Sequence, residues 1–452
     1  MSTCTSRRRL QVAGLVAGLA IGAAVGAASL TGASSEGPPG APPVVLHVAR
    51  VLADPGADLE LSAGLACPGA ASGCEVASAV LHVLSRGSSG WTDVRGTLDA
   101  PGVRFVVPGS AVAEDGLSYW MEFAIEGGTR VVFPEGGATS AFRVLTTAGL
   151  RDVAWPGAFD LVTVVPSDGV VARLPYGNGT GEVGRVGGVG DEQPLGPSSF
   201  DVAPDGSIRV ADWVHGRMLV LTAGGEPRGA VPLPIKRPVD VAVGSRGELA
   251  VTTLGLGATA FELDTDGSVI GRYGVETGVA ERIAITPGGP HVWVGPAQWA
   301  PVRSRPGLAL PAEAQSRGLA SALPGRDGAV AFSQDLSGSR VAFVWARPDG
   351  SRSGAVLRLP AGVQPGVDHF VRGLPDGGAI AARGLWSEQG EAVALLRFAA
   401  DGSIVTAELI APPTREMDAA ASTVRFRAPD EVLAVYAGDR GIRIERFEVK
   451  GR

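Results

Sequence analysis

Lysine and asparagine are nearly missing from this chain. Of 452 residues, lysine occurs only at Lys236 and Lys450 and asparagine only at Asn178, so arginine carries almost all of the positive charge. No G-K-[ST] phosphate loop can be built on those two lysines, and no G-x-S-x-G elbow occurs, which argues against P-loop and α/β-hydrolase chemistry. Histidine appears five times, at His47, His82, His215, His291 and His369, with no pair at the spacing that ligates a metal within one strand or helix. A formal net charge of −7 makes nucleic acid and anionic lipid poor partners.

A composition suited to helices is also lacking. Gly at 66 residues and Pro at 33 exceed what helices tolerate, whereas short strands joined by tight turns use both at every corner. The chain therefore reads as all-β. Its length implies two domains or one large repeat array, and 45% apolar residues are ample for folding.

Residues 1–33 read as a signal peptide: Arg7, Arg8 and Arg9 precede the apolar stretch Leu10 to Leu30, and Thr31-Gly32-Ala33 suits signal peptidase. Ser6-Arg7-Arg8-Arg9-Leu10 resembles the twin-arginine pattern, so either export route is open. Gly14, Gly18, Gly22 and Gly26 have the spacing of a packed membrane helix, which matters only if the segment stays uncleaved as a signal anchor. Cys4 precedes the apolar run, so no lipobox follows it. The expectation is an exported protein, secreted or held in the cell envelope. Residues 34–43 (SSEGPPGAPP) form a Pro/Gly/Ser linker. In an oxidising compartment Cys67 and Cys74 are expected to form a local disulfide.

From 44 to 147, seven short alternating runs separated by Gly, Pro and Asp turns predict a β-sandwich. The runs are VVLHVARVL, LELSAGL, ASAVLHVLSR, GVRFVVPG, SYWMEFAIE, TRVVFP and SAFRVLTT. The stretch Gly116 to Val144 resembles bacterial immunoglobulin or fibronectin type III-like modules, which implies a spacer or docking role; the antibody-type Cys, Trp, Cys spacing is absent.

From 150 to 450 a strand-turn-strand phrase recurs about every forty residues, clearest at Phe200 to Leu221 (FDVAPDGSIRVADWVHGRMLVL). Four strands per unit make a propeller blade. Five units are complete, at 198–234, 238–275, 280–315, 317–360 and 367–411. The sixth, 418–449, has three strands, and Val170 to Tyr176 is expected to supply its fourth, closing the ring and removing two edges. This predicts six blades, or seven if Phe159 to Val165 and Val170 to Gly177 open a further one. The unit at 197–234, with Asp205-Gly206, Val210-Ala211-Asp212 and Arg217, resembles the NHL repeat. That family includes binding scaffolds, lactonase-like hydrolases and lyases, so the resemblance implies a fold and leaves the activity open.

Gly179 to Gly184 matches the dinucleotide fingerprint G-x-G-x-x-G, but the GRVGGVGDEQP that follows cannot be its helix, so the segment reads as a loop. A propeller gathers functional residues from several blades at the channel mouth, on loops after the second strand and before the first. Those loops hold Asp212, Trp213, His215 and Arg217; Gln298 and Trp299; Gln334 and Asp335; Trp386, Ser387 and Glu388; with His369 before an inner strand. Trp213, Trp299 and Trp386 at equivalent loops suit stacking on a sugar, peptide or cation. The ligand-binding candidates are therefore Trp213, His215, Arg217, Trp299, Trp386, Asp335 and His369, with no catalytic set, no metal site and no cofactor. The expected function is a non-enzymatic binding or scaffold protein whose loop face takes a protein, peptide or glycan of the envelope or exterior. The alternative is a lactonase or lyase with a divalent metal held by His215, His369, Asp212 or Asp335.

Overall fold

Period-two burial makes each N-terminal strand one-sided. Leu117–Ile125 buries Leu117, Tyr119, Met121 and Phe123 while Ser118, Trp120 and Glu122 stay partly exposed on the other side. The computed structural model describes residues 43–450, apart from 48–49, 68–73, 100–101, 158, 162, 188–194, 248, 254–258, 275–279, 287–288, 295–297, 302–322, 325–329, 337, 348–350 and 414–421. The expected signal peptide and nearly all of the linker lie outside the described residues.

The first 100 or so described residues form two sheets. One runs in the order Val44–His47, Leu59–Ala66, Gly102–Val107, Thr97–Asp99. The other runs Leu52–Ala53, Phe142–Thr146, Leu117–Ile125, Val76–Ser85, Thr92–Arg95, with Arg130–Phe133 also on Leu117–Ile125. Leu61, Phe105, Tyr119, Phe123 and Phe142 fill the space between them. Cys67 and Cys74 are disulfide-bonded. The run expected as one strand, VVLHVARVL, is divided between the two sheets. Thr92–Arg95 and Thr97–Asp99 carry no apolar alternation and lie exposed, which is why the sequence pattern passes over them.

The remainder is a β-propeller. Sheets I (residues 199–232), II (238–274), III (280–301), IV (323–358) and V (364–410) are antiparallel, and sheet VI (424–448) takes Gly169–Pro175 as a fourth strand antiparallel to Gly441–Glu448. Sheet III has three strands among the described residues. The first strands of I and II, II and III, III and IV, V and VI, and VI and I lie side by side, and the first strand of V packs on the second of IV. Arg151–Ala154 joins the outside of sheet IV in parallel with Arg352–Arg358. The described residues of 159–165 form no strand; Leu161 is buried between IV and V, and Val165 N–H donates to Leu409 O at 2.7 Å.

Apolar side chains seal the sheet interfaces: Phe200 and Ile444 between VI and I, Met218 and Leu249 between I and II, Ile283 and Ala250 between II and III. Trp345 and Phe398 do so between IV and V, and Phe370 and Phe447 between V and VI. The opposite face of IV, with Phe332, Ala342, Val344 and Val356, packs against Val51 and Leu52 of the N-terminal unit. Gln334 completes that contact. Its Oε1 accepts from the Val51 and Leu52 N–H groups at 2.8 and 3.0 Å, and its Nε2 donates to Leu52 O at 2.6 Å. Arg340 pairs with Asp54 at 2.5 Å beside it.

Candidate functional site at the propeller loop face

The polar residues at the turn of sheet I bond to one another. Ile208–Asp212 ends in a turn that reverses into Arg217–Leu221, which brings Asp212, His215 and Arg217 together. Asp212 is fully buried and accepts from the Gly184 N–H at 3.1 Å, from His215 Nδ1 at 2.7 Å and from Arg217 Nε at 2.9 Å. His215 Nε2 stands 2.7 Å from Oδ1 of Asn178, the sole asparagine. The Arg217 guanidinium donates to Gly179 O at 2.9 Å and Glu182 O at 2.8 Å. This network fixes the glycine-rich 177–184 loop. It saturates a carboxylate that would otherwise be a buried charge without a partner.

Trp213 is half-buried, with the Arg237 guanidinium 5.0 Å from its ring centre. Trp299 lies in Gln298–Pro301, opposite Trp293. Gln334, read as a loop-face group, instead holds the N-terminal unit.

Sheet V gathers the rest. Arg383 is 5% exposed; it donates to Ser333 Oγ at 3.0 Å and Asp335 Oδ1 at 2.5 Å, and lies 3.8 Å from Asp368 Oδ1. Burial raises the Asp335 pKa, opposed by the Arg383 charge and reinforced by that of Asp368. Arg383 Nε and Asp368 Oδ1 are buried and make no hydrogen bond among the described residues. His369 is 6% exposed, and its carbonyl accepts from Arg282 at 2.9 Å. On the two strands that carry Asp368 and Arg383, two large apolar side chains are exposed, Trp386 at 37% and Val367 at 45%. Trp386 stands opposite Glu391 across the strand pair, and Ser387, Glu388 and Glu391 continue the same rim.

Sequence reasoning missed the charges on the inner strands. Asp201 Oδ2 accepts from the Val243 N–H at 2.8 Å and Asp240 Oδ2 from the Ile283 N–H at 2.9 Å, each lacing its inner strand to that of the next sheet. Arg425 spans VI, I and II: it donates to Phe200 O at 2.8 Å and Asp240 Oδ1 at 3.3 Å. The repeated signal is an Asp at one position of the phrase, in FDVAPDG and VDVAVGS, which is polar where a buried strand wants an apolar residue. An inner edge strand has free N–H groups, and this Asp satisfies them.

No family model matches the chain, and no curated protein does. Among solved structures it is similar to a protein of unknown function from Bacteroides thetaiotaomicron, with 10% identity over 90% of this chain and 99% of that one and a TM-score of 0.33. Virginiamycin B lyase from Staphylococcus aureus shares 11% identity over 77% and 93%, with a TM-score of 0.31. The WD40 β-propeller domain of Doa1 shares 11% over 61% and 95%, with a TM-score of 0.32. Likenesses this distant leave activity open.

Proposed function

We propose that this is an exported binding protein, an immunoglobulin-like sandwich followed by a six-bladed, NHL-like propeller whose loop face over sheet V captures a protein, peptide or glycan. The observation that carries the reading is Trp386, solvent-exposed on the strand paired with the one that carries exposed Val367, and close to Glu388 and Glu391, which make no ion pair among the described residues. An exposed aromatic and aliphatic pair with a polar rim is the composition of an interface hot spot. The metal-dependent alternative draws no support from the arrangement of its candidate ligands. Asp212 and His215 are bonded to each other and to the 177–184 loop, and Asp335 is held by a guanidinium, which competes with any cation for the same oxygens.

The test is selection of peptides and glycans on the immobilised full chain, with each hit measured again on Trp386→Ala. Loss of at least about tenfold in affinity is expected for a hot-spot aromatic. Unchanged binding would move the interface off sheet V.

A further inference from the structure

The outer face of the sandwich holds a cleft of about 300 Å³ lined by Leu84, Ser85, Arg86, Ser88, Asp115, Ser118 and Arg143, among others. Its floor is set by register. Arg143 lies opposite Ser118, which lies opposite Leu84, so three neighbouring strands contribute one row, with their alternate residues Phe142, Tyr119 and Val83 in the core. The Arg86 N–H donates to Gly116 O at 3.1 Å, closing the end of the cleft, and Gly116 takes φ +91° with its Cα close against the Val144 carbonyl.

Arg86 and Arg143 are exposed and form no ion pair or side-chain hydrogen bond among the described residues. A third guanidinium, Arg352 of sheet IV, stands near enough that burial first and the Arg143 charge second lower its pKa. Arg352 likewise forms no ion pair among the described residues. Three positive charges with one carboxylate, Asp115, on the rim leave an excess of positive charge, conspicuous in a protein that is acidic as a whole. By contrast Arg217, Arg383 and Arg425 inside the ring all have carboxylates.

We propose that this cleft is a binding site for a small ligand bearing an oxyanion, either an inorganic or ester sulfate or phosphate or a sugar carboxylate, with Arg86 and Arg143 as its guanidinium donors and Ser118 as a neutral one. Planar guanidinium groups match such oxygens in pairs, and the volume is that of a small-molecule site. Asp115 on the same rim opposes the anion and tunes the affinity downward. The site lies on the sandwich and stands or falls independently of the loop face over sheet V.

Isothermal titration of the full chain with inorganic sulfate, inorganic phosphate and glucuronate, at ionic strength held constant with NaCl, tests it. Saturable binding of at least one probe is expected, weakened about tenfold by Arg143→Ala or Arg86→Ala, the loss of one charge-assisted hydrogen bond. Asp115→Asn should tighten the same complex. Which probe binds separates the sulfate or phosphate source from the sugar carboxylate. Should an alanine variant fail to fold by circular dichroism, Arg143→Gln with Arg86→Gln keeps the side-chain volume and gives the same readout. No saturable binding of any probe, or binding unchanged in the double variant, would overturn the proposal.

Discussion

Single side chains decide more here than their number suggests. His47 is buried in the N-terminal unit between Ser62 O, 2.6 Å from Nδ1, and the Tyr119 hydroxyl, 2.7 Å from Nε2. Burial lowers its pKa to about 4, against 6.5 for the free side chain. Because the folded value lies below the unfolded one, the unfolded chain takes up this proton first. The contribution of a neutral His47 is complete above pH 6.5 and is lost as pH falls toward 4, by up to about 3 kcal/mol. Urea midpoints at pH 7.5 and pH 4.5 should show the loss in the native chain and a smaller one in His47→Gln. Arg217 is the second such residue. Arg217→Ala leaves the Asp212 carboxylate fully buried with only His215 and one N–H, and should destabilise the chain by about 3 kcal/mol or more. Arg217→Lys should not restore it, since a single ammonium cannot reach Asp212, Gly179 and Glu182 together; thermal melts of both variants check this.

Strands and turns were the most legible part of the sequence. Asp-Gly marks reversals at 205–206, 266–267, 376–377 and 401–402, and in each the Asp Oδ1 accepts the N–H two residues on, at 2.8 to 3.0 Å. The chemistry is local, so a local pattern reveals it. Gly402 also packs between sheets: at φ +84°, a Cβ there would meet the Gly354 carbonyl and the Arg151 side chain. Gly402→Ala should therefore lower stability by about 1–2 kcal/mol from backbone strain alone, and by more if sheet IV cannot shift; denaturant titration measures it. The candidate site was less legible. Asp212, His215 and Arg217 stand out as polar residues near a turn, yet their partners Asn178, Gly179 and Glu182 lie far back in the chain. No spacing rule connects them. Gln334 and Asp335 are adjacent in sequence, but one faces the sandwich and the other the Arg383 cluster, a division that only the two neighbouring surfaces decide.

At the scale of the whole molecule, the two N-terminal sheets and the propeller share an apolar cluster. Val51 and Leu52 cover the face of sheet IV that has no other apolar cluster among the described residues, and Gln334 binds their backbone as another strand would. A mere spacer would leave that face bare. Leu52, 1% exposed, belongs to the contact, and Leu52→Ala should destabilise by about 2–5 kcal/mol. Calorimetry of the native chain should give one cooperative transition, whereas two well-separated transitions would show the units to be thermally independent.

The fourth strand of sheet VI, Gly169–Pro175, carries a consequence in time. It is made before the other five sheets, and its partner Gly441–Glu448 only after them. During synthesis the ring therefore stays open until Gly441–Glu448 has been made, with Ala172 and Leu174 waiting for Ile442 and Ile444. A nascent chain halted before Gly441 would hold five finished sheets and an unclosed seam. For such a ring, closure is a single late event.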